Sequence, residues 1–356
     1  MLDGTIGELT PFSTAGRHSI SGLSSGAFMT VQLHIAHSAD YVGAGVIAGG
    51  PYRSAETFRA ASFTVPTSCI LNSLYIAMTP LTEVTAPDVP RLVALTRATP
   101  DIDDPAHLKG QRLYIFTGTA DRVVNQHAVR KTRDYYLELG VDPADLIFVD
   151  DVAAGHSIIT MNPEDNDLGA NQPPYINRGD FVQSHAILDH IYPEATLPGR
   201  QAPKPARGEL RRFEQAAFLP PDLVHFASMA PFGYVYIPSA VREGAEAIGV
   251  HVAIHGCKQG YSYVNFVNGR ADMLNQAPYG GRYVTSTGYM EWAEANNLIV
   301  LFPQVGGHDD NDNQNPDGCW DWWGYSSPDP DRPDYYSQNA PQIHAIQAMV
   351  RRLAGA

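Results

Sequence analysis

Ser19-Ile20-Ser21-Gly22-Leu23-Ser24-Ser25-Gly26-Ala27-Phe28-Met29 is the stretch on which the reading of this chain turns. Gly22-x-Ser24-x-Gly26 sets a serine midway between two glycines. A serine that must attack a carbonyl carbon has to stand on a sharp turn from strand into helix, and small residues two positions to either side let the backbone fold that tightly. The N–H that follows the serine then lies at a helix N-terminus, aimed at the oxygen that takes up charge. Residues 17–21 predict a short strand. Phe28, Val31 and Ile35 recur at helical spacing over 27–36. Strand, turn and helix together are the context this pattern requires, whereas a bare match also marks ordinary turns.

The flanking pattern extends this into a fold. Val42-Gly43-Ala44-Gly45-Val46-Ile47 is small and apolar, as a buried parallel strand is. Further strands are predicted at 111–117, 145–149, 233–237, 249–254 and 298–302, and helices at 125–139, 181–192, 288–296 and 337–353. Residues 193–212 carry Pro193, Pro198, Pro203 and Pro205 and predict an exposed connector. The expectation is an α/β-hydrolase fold with a mostly parallel central sheet and helices on both faces. It forms one catalytic domain over 1–356, with halves 1–192 and 213–356 joined by that connector and no separate substrate-binding domain.

Composition narrows the function. The 356 residues are 44% hydrophobic and 17% charged, enough for a sizeable core. With 24 Lys and Arg against 38 Asp and Glu there is no basic stripe, which excludes nucleic acid as a partner. No stretch is long and apolar enough to span a membrane. Residues 1–4 lack a basic and apolar leader, so either a signal was removed or the protein stays inside the cell. Three cysteines, Cys69, Cys257 and Cys319, form no C-x-x-C pair, which speaks against zinc. The acidic loop 308–313 departs from the EF-hand pattern at the sixth and twelfth positions. No metal and no cofactor are expected.

A serine nucleophile needs a base, and the base needs a carboxylate to orient it. Asp121 follows the strand at 111–117 and His156 follows the one at 145–149. Catalytic groups gather at such carboxyl ends. Ser24, Asp121 and His156 therefore come in the order nucleophile, acid, base. Asp121 also suits a helix N-cap, and Ser25 is a competing nucleophile. His255-Gly256-Cys257 resembles the His-Gly marker of a second oxyanion donor, yet it lies downstream of the base. That order predicts a circular permutation of the fold.

Taken together, Gly22-Leu23-Ser24-Ser25-Gly26, Ala48-Gly49-Gly50-Pro51-Tyr52, Thr117-Gly118-x-x-Asp121, Gly155-His156, His255-Gly256-Cys257 and Gly318-Cys319-Trp320-Asp321-Trp322 resemble the extracellular polyhydroxybutyrate depolymerases of the single-domain, permuted kind. The resemblance runs from about residue 18 to 350. It implies Ser24 as nucleophile, Asp121 as orienting acid and His156 as base. It implies an oxyanion hole from the N–H groups of Ser25 and Cys257, Trp320 along the substrate cleft, and a Cys257–Cys319 disulfide, which needs an oxidising compartment. Cys69 is left free, because residues 52–55 hold no cysteine. The implied substrate is a polyester or oligoester of 3-hydroxy acids, and the chain is expected to be secreted or periplasmic and monomeric. Rival readings are a carboxylesterase of the feruloyl or acetylxylan type, and a non-catalytic binding protein on the same scaffold.

Overall fold

A computed structural model describes residues 4–58, 71–261, 263, 265–267, 270–272, 280–309, 314–327, 329 and 332–355. Cys69 and Asp310–Asn313 lie outside the described residues. The central sheet has nine strands. In chain order they are β1 (Ile6–Gly7), β2 (His18–Leu23), β3 (Tyr41–Ile47), β4 (Arg112–Phe116), β5 (Leu146–Val149), then β9 (Glu209–Glu214), β10 (Phe232–Ile237), β11 (Gly249–Ile254) and β14 (Leu298–Phe302). Three short strands, β6 (Ile158–Thr160), β7 (Asn166–Asp167) and β8 (Ile176–Arg178), form a separate small sheet. The hairpin of β12 (Asn265–Val267) and β13 (Arg270–Asp272) stands apart.

Across the main sheet the order is β1-β9-β10-β14-β11-β2-β3-β4-β5. Every neighbouring pair is parallel except the two made by β10, which runs against both β9 and β14. This is a mostly parallel α/β-hydrolase sheet. β2, β10, β11 and β14 are buried along their whole length, and β10, β11 and β14 accordingly read as largely apolar runs. The strand bearing the Gly22–Gly26 turn sits centrally. On one side of it lie β3, β4 and β5; on the other lie β11, β14, β10 and β9, made much later, with the N-terminal β1 at the far edge.

Helices cover both faces. The helix α1 (Ser25–Ala36) packs on β2, β3 and β11 together with the helix Pro341–Ala354. On the other face the helix Gln183–Ile191 lies so close to β3 that a Cβ on Gly45 would stand 2.6 Å from the Ile187 side chain. Alternation along β3 turns Gly43 and Gly45 to one helix layer and Ala44 and Val46 to the other. The same layer holds a buried polar network. His251 takes Ser19 Oγ at 2.7 Å and Ser21 Oγ at 2.8 Å on its two ring nitrogens, and Ser21 Oγ meets the Tyr289 hydroxyl at 2.6 Å. All these groups are partnered, as buried polar groups must be.

The structure corrects the connector. Residues 209–212 belong to β9, not to a Pro-rich linker. β9 is shielded on its outer side only by the two-residue β1, so its side chains are mostly half-buried, and Glu209, Arg211 and Arg212 disguise it. Arg212 lays its guanidinium over the Phe232 ring at 3.7 Å, covering apolar surface with its stem.

Candidate active site

The turn after β2 is strained, and its neighbours explain how it survives. Ser24 has φ 58° and ψ −124°, a conformation that a residue with a Cβ adopts only when its surroundings impose it. A Cβ on Gly22 would stand 2.3 Å from the Gly26 carbonyl oxygen, and one on Gly26 would stand 2.3 Å from the His255 carbonyl oxygen. Both glycines are required by close backbone approach. The two serines differ in their partners: Ser25 Oγ accepts the Trp320 backbone N–H at 3.2 Å, while Ser24, the N-cap of α1, makes no side-chain capping bond. Ser24 lines the cleft that opens above the carboxyl ends of the strands.

Asp121 and His156 meet beside it. His156 Nδ1 and Asp121 Oδ2 are 2.8 Å apart, and both side chains are almost fully shielded from water. The helix-cap reading of Asp121 and the pairing coexist, since its other oxygen, Oδ1, accepts the N–H groups of Val123 at 2.8 Å and Val124 at 2.9 Å. One carboxylate thus anchors its own loop and orients the imidazole. Tyr175 stands edge-on to the His156 ring at 5.5 Å.

The opposite rim is the loop after β11. Burial pushes the His255 imidazole down to about 4, so it is neutral. Its Nε2 accepts the Val305 N–H at 3.2 Å, which leaves Nδ1 to donate to the Gly256 carbonyl at 2.7 Å. Gln259 Oε1 accepts the Gly256 N–H at 2.6 Å and Gln259 Nε2 donates to the Pro174 carbonyl at 2.6 Å, tying this rim to the segment that carries Tyr175. The next residue, Cys257, is disulfide-bonded to Cys319. Gly256 would bring a Cβ within 3.2 Å of the Ser24 Cβ, so the loop passes directly over the serine.

The cleft encloses about 390 Å³. One wall is Phe28, Trp322 and Trp323; the other is Leu74, Met78 and Val123. Here the expectation for Trp320 is corrected. Trp320 is fully buried and packs behind the rim, 5.5 Å from the His255 ring, and its neighbours two and three residues on reach the cleft instead. The cause is Asp321. Its buried carboxylate accepts the N–H groups of Trp323, Gly324, Tyr325 and Ser326 and the Ser326 hydroxyl, rolling the chain into a tight turn. Trp322 then stacks on Phe28 at 3.8 Å. Gln259 and Asp321 escaped the sequence reading, because a glutamine or aspartate in a loop gives no signal until its partners are known. Among the described residues no three His, Cys, Asp or Glu side chains stand together as metal ligands, and no helix is long and apolar enough to cross a membrane.

Comparison with known proteins follows the same lines. No family model matches the chain. It is 34% identical over 339 residues to a poly(3-hydroxybutyrate) depolymerase of Delftia acidovorans, covering 94% of this chain and 59% of that protein. It is 29% identical over 345 residues to a polyhydroxybutyrate depolymerase of Talaromyces funiculosus, covering 92% of this chain and 85% of that one. The chain thus spans about three fifths of the bacterial relative and most of the fungal one. Among solved structures it resembles the PHB depolymerase of Penicillium funiculosum, with a TM-score of 0.75, 26% identity, and 98% and 99% of the two chains covered. A serine-to-alanine PHB depolymerase complexed with an R3HB trimer gives a TM-score of 0.73 over the same spans.

Proposed function

We propose that this chain, similar to polyhydroxybutyrate depolymerases in sequence and in fold, is a serine esterase of that family hydrolysing poly(3-hydroxybutyrate)-like polyesters to oligomers and monomers. The observation that carries this reading is a strained Ser24 in one apolar cleft with a His156 that is already oriented by Asp121. In the reaction, His156 Nε2 takes the proton of Ser24 Oγ as the oxygen adds to the ester carbonyl carbon. Asp121 Oδ2 accepts the Nδ1–H and stabilises the imidazolium. The N–H groups of Ser25 and Cys257 receive the oxyanion, each donor being worth about 3 kcal/mol of transition-state stabilisation. The tetrahedral intermediate expels the alcohol end of the chain, which leaves with the proton from His156. Water then gives a proton to His156 as its oxygen attacks the acyl carbon, and the second tetrahedral intermediate collapses by expelling Ser24 Oγ, which takes that proton back from His156 and leaves the free acid.

Aromatic and aliphatic walls suit an extended chain of ester units without charge, the surface that the tryptophans at 322 and 323 present. The Cys257–Cys319 disulfide supports secretion into an oxidising compartment, and no second copy is needed to complete the site. The strand order supports a circular permutation and a single catalytic unit, since β9–β11 and β14 complete the sheet that β2–β5 begin.

The test is the clearing of a poly(3-hydroxybutyrate) suspension, run beside a short-chain nitrophenyl ester, with wild type and Ser24→Ala. Wild type is expected to clear the suspension, and the variant to lose about a million-fold on the soluble ester. Cleavage of the soluble ester without clearing would move the function to a carboxylesterase of soluble or carbohydrate-linked esters. An active Ser24→Ala protein would overturn the site.

A further inference from the structure

Asp121 and His156 sit on different loops, after β4 and after β5, and the hydrogen bond between them depends on how those loops are held together. One side chain does much of this. Asn171, in the segment between β7 and β8, places its carbonyl Oδ1 2.9 Å from the Arg122 N–H and 3.0 Å from the His156 N–H. Its amide nitrogen donates to the Ala120 carbonyl at 3.0 Å and the Gly169 carbonyl at 3.1 Å. The peptide groups on both sides of Asp121 and the peptide N–H of His156 therefore converge on a single planar amide. Only a group with one acceptor oxygen able to take two bonds and a nitrogen with two hydrogens to give fits these four partners.

The segment that presents Asn171 is itself seated firmly. Asn177 donates to the carbonyls of Leu168 and Ala170, both at 2.8 Å. The Gly155 N–H donates to the Leu168 carbonyl at 2.8 Å. A Cβ on Gly155 would stand 2.1 Å from the Ala170 carbonyl oxygen, and one on Gly118 would stand 2.0 Å from that of Ala154. Glycine beside the acid and beside the base thus lets three backbones approach closely, and Asn171 fills the joint.

We propose that Asn171 is a positioning residue for the Asp121–His156 pair, setting the separation and angle at which the base is oriented; the proposal rests on the esterase reading above. Asn171 is half-buried and is not among the residues lining the cleft. Its loss is therefore expected in the chemical step and not in substrate affinity. A misplacement on the order of 1 Å at a catalytic group costs up to about a hundredfold.

The experiment measures the rate at which an organophosphonate labels Ser24, with kcat and KM on a soluble ester, in wild type, Asn171→Ala and Asn171→Ser. Labelling and kcat are expected to fall roughly 10- to 100-fold in the alanine variant, with KM within about twofold, and to fall less in the serine variant, whose hydroxyl keeps one acceptor. A low-field proton resonance of His156 Nδ1–H is expected in wild type, from its 2.8 Å bond to Asp121, and is expected to broaden or shift in the alanine variant at a temperature where it remains folded. A purely structural residue would leave that resonance in place. Labelling within twofold of wild type in the folded alanine variant, or an unchanged resonance there, would overturn the proposal. Absence of labelling in wild type would instead overturn the esterase reading itself.

Discussion

The two walls of the cleft are built on opposite principles. The tryptophan wall is pinned from behind: Asp321 gathers four N–H groups and a hydroxyl, Trp322 stacks on Phe28, and the disulfide ties Cys319 to the rim above Ser24. The aliphatic wall is carried mainly by the short helical segment Ser73–Met78, with Val123 beside it. Asn72 holds its start through the Ala55 carbonyl, and Asn125 holds its end through an N–H to the Met78 carbonyl. Its Leu74 is 48% exposed and Tyr75 66%. A wall fixed by satisfied buried polar groups keeps one geometry. A wall of half-exposed aliphatic side chains adapts to what enters. A cleft built this way holds one side of an extended ligand in register while tolerating variation on the other.

Asp321→Ala should break the contrast most severely. The carboxylate is wholly buried, and burial raises its pKa against the bonds from Ser326, Gly324 and Trp323. Removing it leaves several buried N–H groups without acceptors. A loss of roughly 3–5 kcal/mol in urea unfolding is expected, with Trp fluorescence shifting as the wall loosens; a loss under about 1 kcal/mol would show the turn holds itself. Next comes the disulfide, which closes a loop of sequence separation 62. Cys257→Ala with Cys319→Ala is expected to cost about 2–4 kcal/mol and to slow ester hydrolysis, as the rim over Ser24 is released. Full activity in that variant would separate the clamp from the chemistry.

Acid should act on the pinned side before the soft one. Burial pushes His255, beside Trp320, and His34, in the last turn of α1, down to about 4, and His251, in the sheet, to about 3. The unfolded chain takes up these protons near pH 6.5 while the folded chain refuses them until about pH 4 or below. Their contribution is thus complete above pH 6.5 and drains away as pH falls toward 4. Denaturation midpoints should drop between pH 7 and 5, and a flat profile would refute the buried-neutral assignment. The smallest effect belongs to Leu74→Ala. Unfolding should move by less than about 0.5 kcal/mol, while KM for a long-chain ester rises several-fold with kcat unchanged; a loss in kcat would mean this wall also positions the reacting carbonyl.

What the sequence disclosed follows where local rules govern. Strand-turn-helix around Ser24 was legible because only glycine tolerates the approaches at 22 and 26. β11 and β14 were legible because a strand buried on both faces is written as an apolar run. Asp121 and His156 were picked out by standing after strands. β9 was not legible, since an edge strand with charged half-buried residues looks like linker. Trp320 was chosen over Trp322 and Trp323 because a loop has no period to say which side chain points where; a buried aspartate decides that. Asn171 left no trace at all, as three of its four partners come from two other loops, around Asp121 and at His156.

The strand register has a consequence for how the molecule comes into being. Ser19 on β2 and His251 on β11 are paired neighbours 232 residues apart. Synthesis therefore delivers Ser24 early, but the strand beside it, the rim that receives the oxyanion and the tryptophan wall emerge only after most of the chain has been made. A nascent chain with the first half complete holds nucleophile, acid and base in sequence yet has no partner for the inner edge of β2. Pairings of such long range also form slowly. The two rims of the cleft therefore meet only once β11 has paired with β2 and Cys319 has joined Cys257.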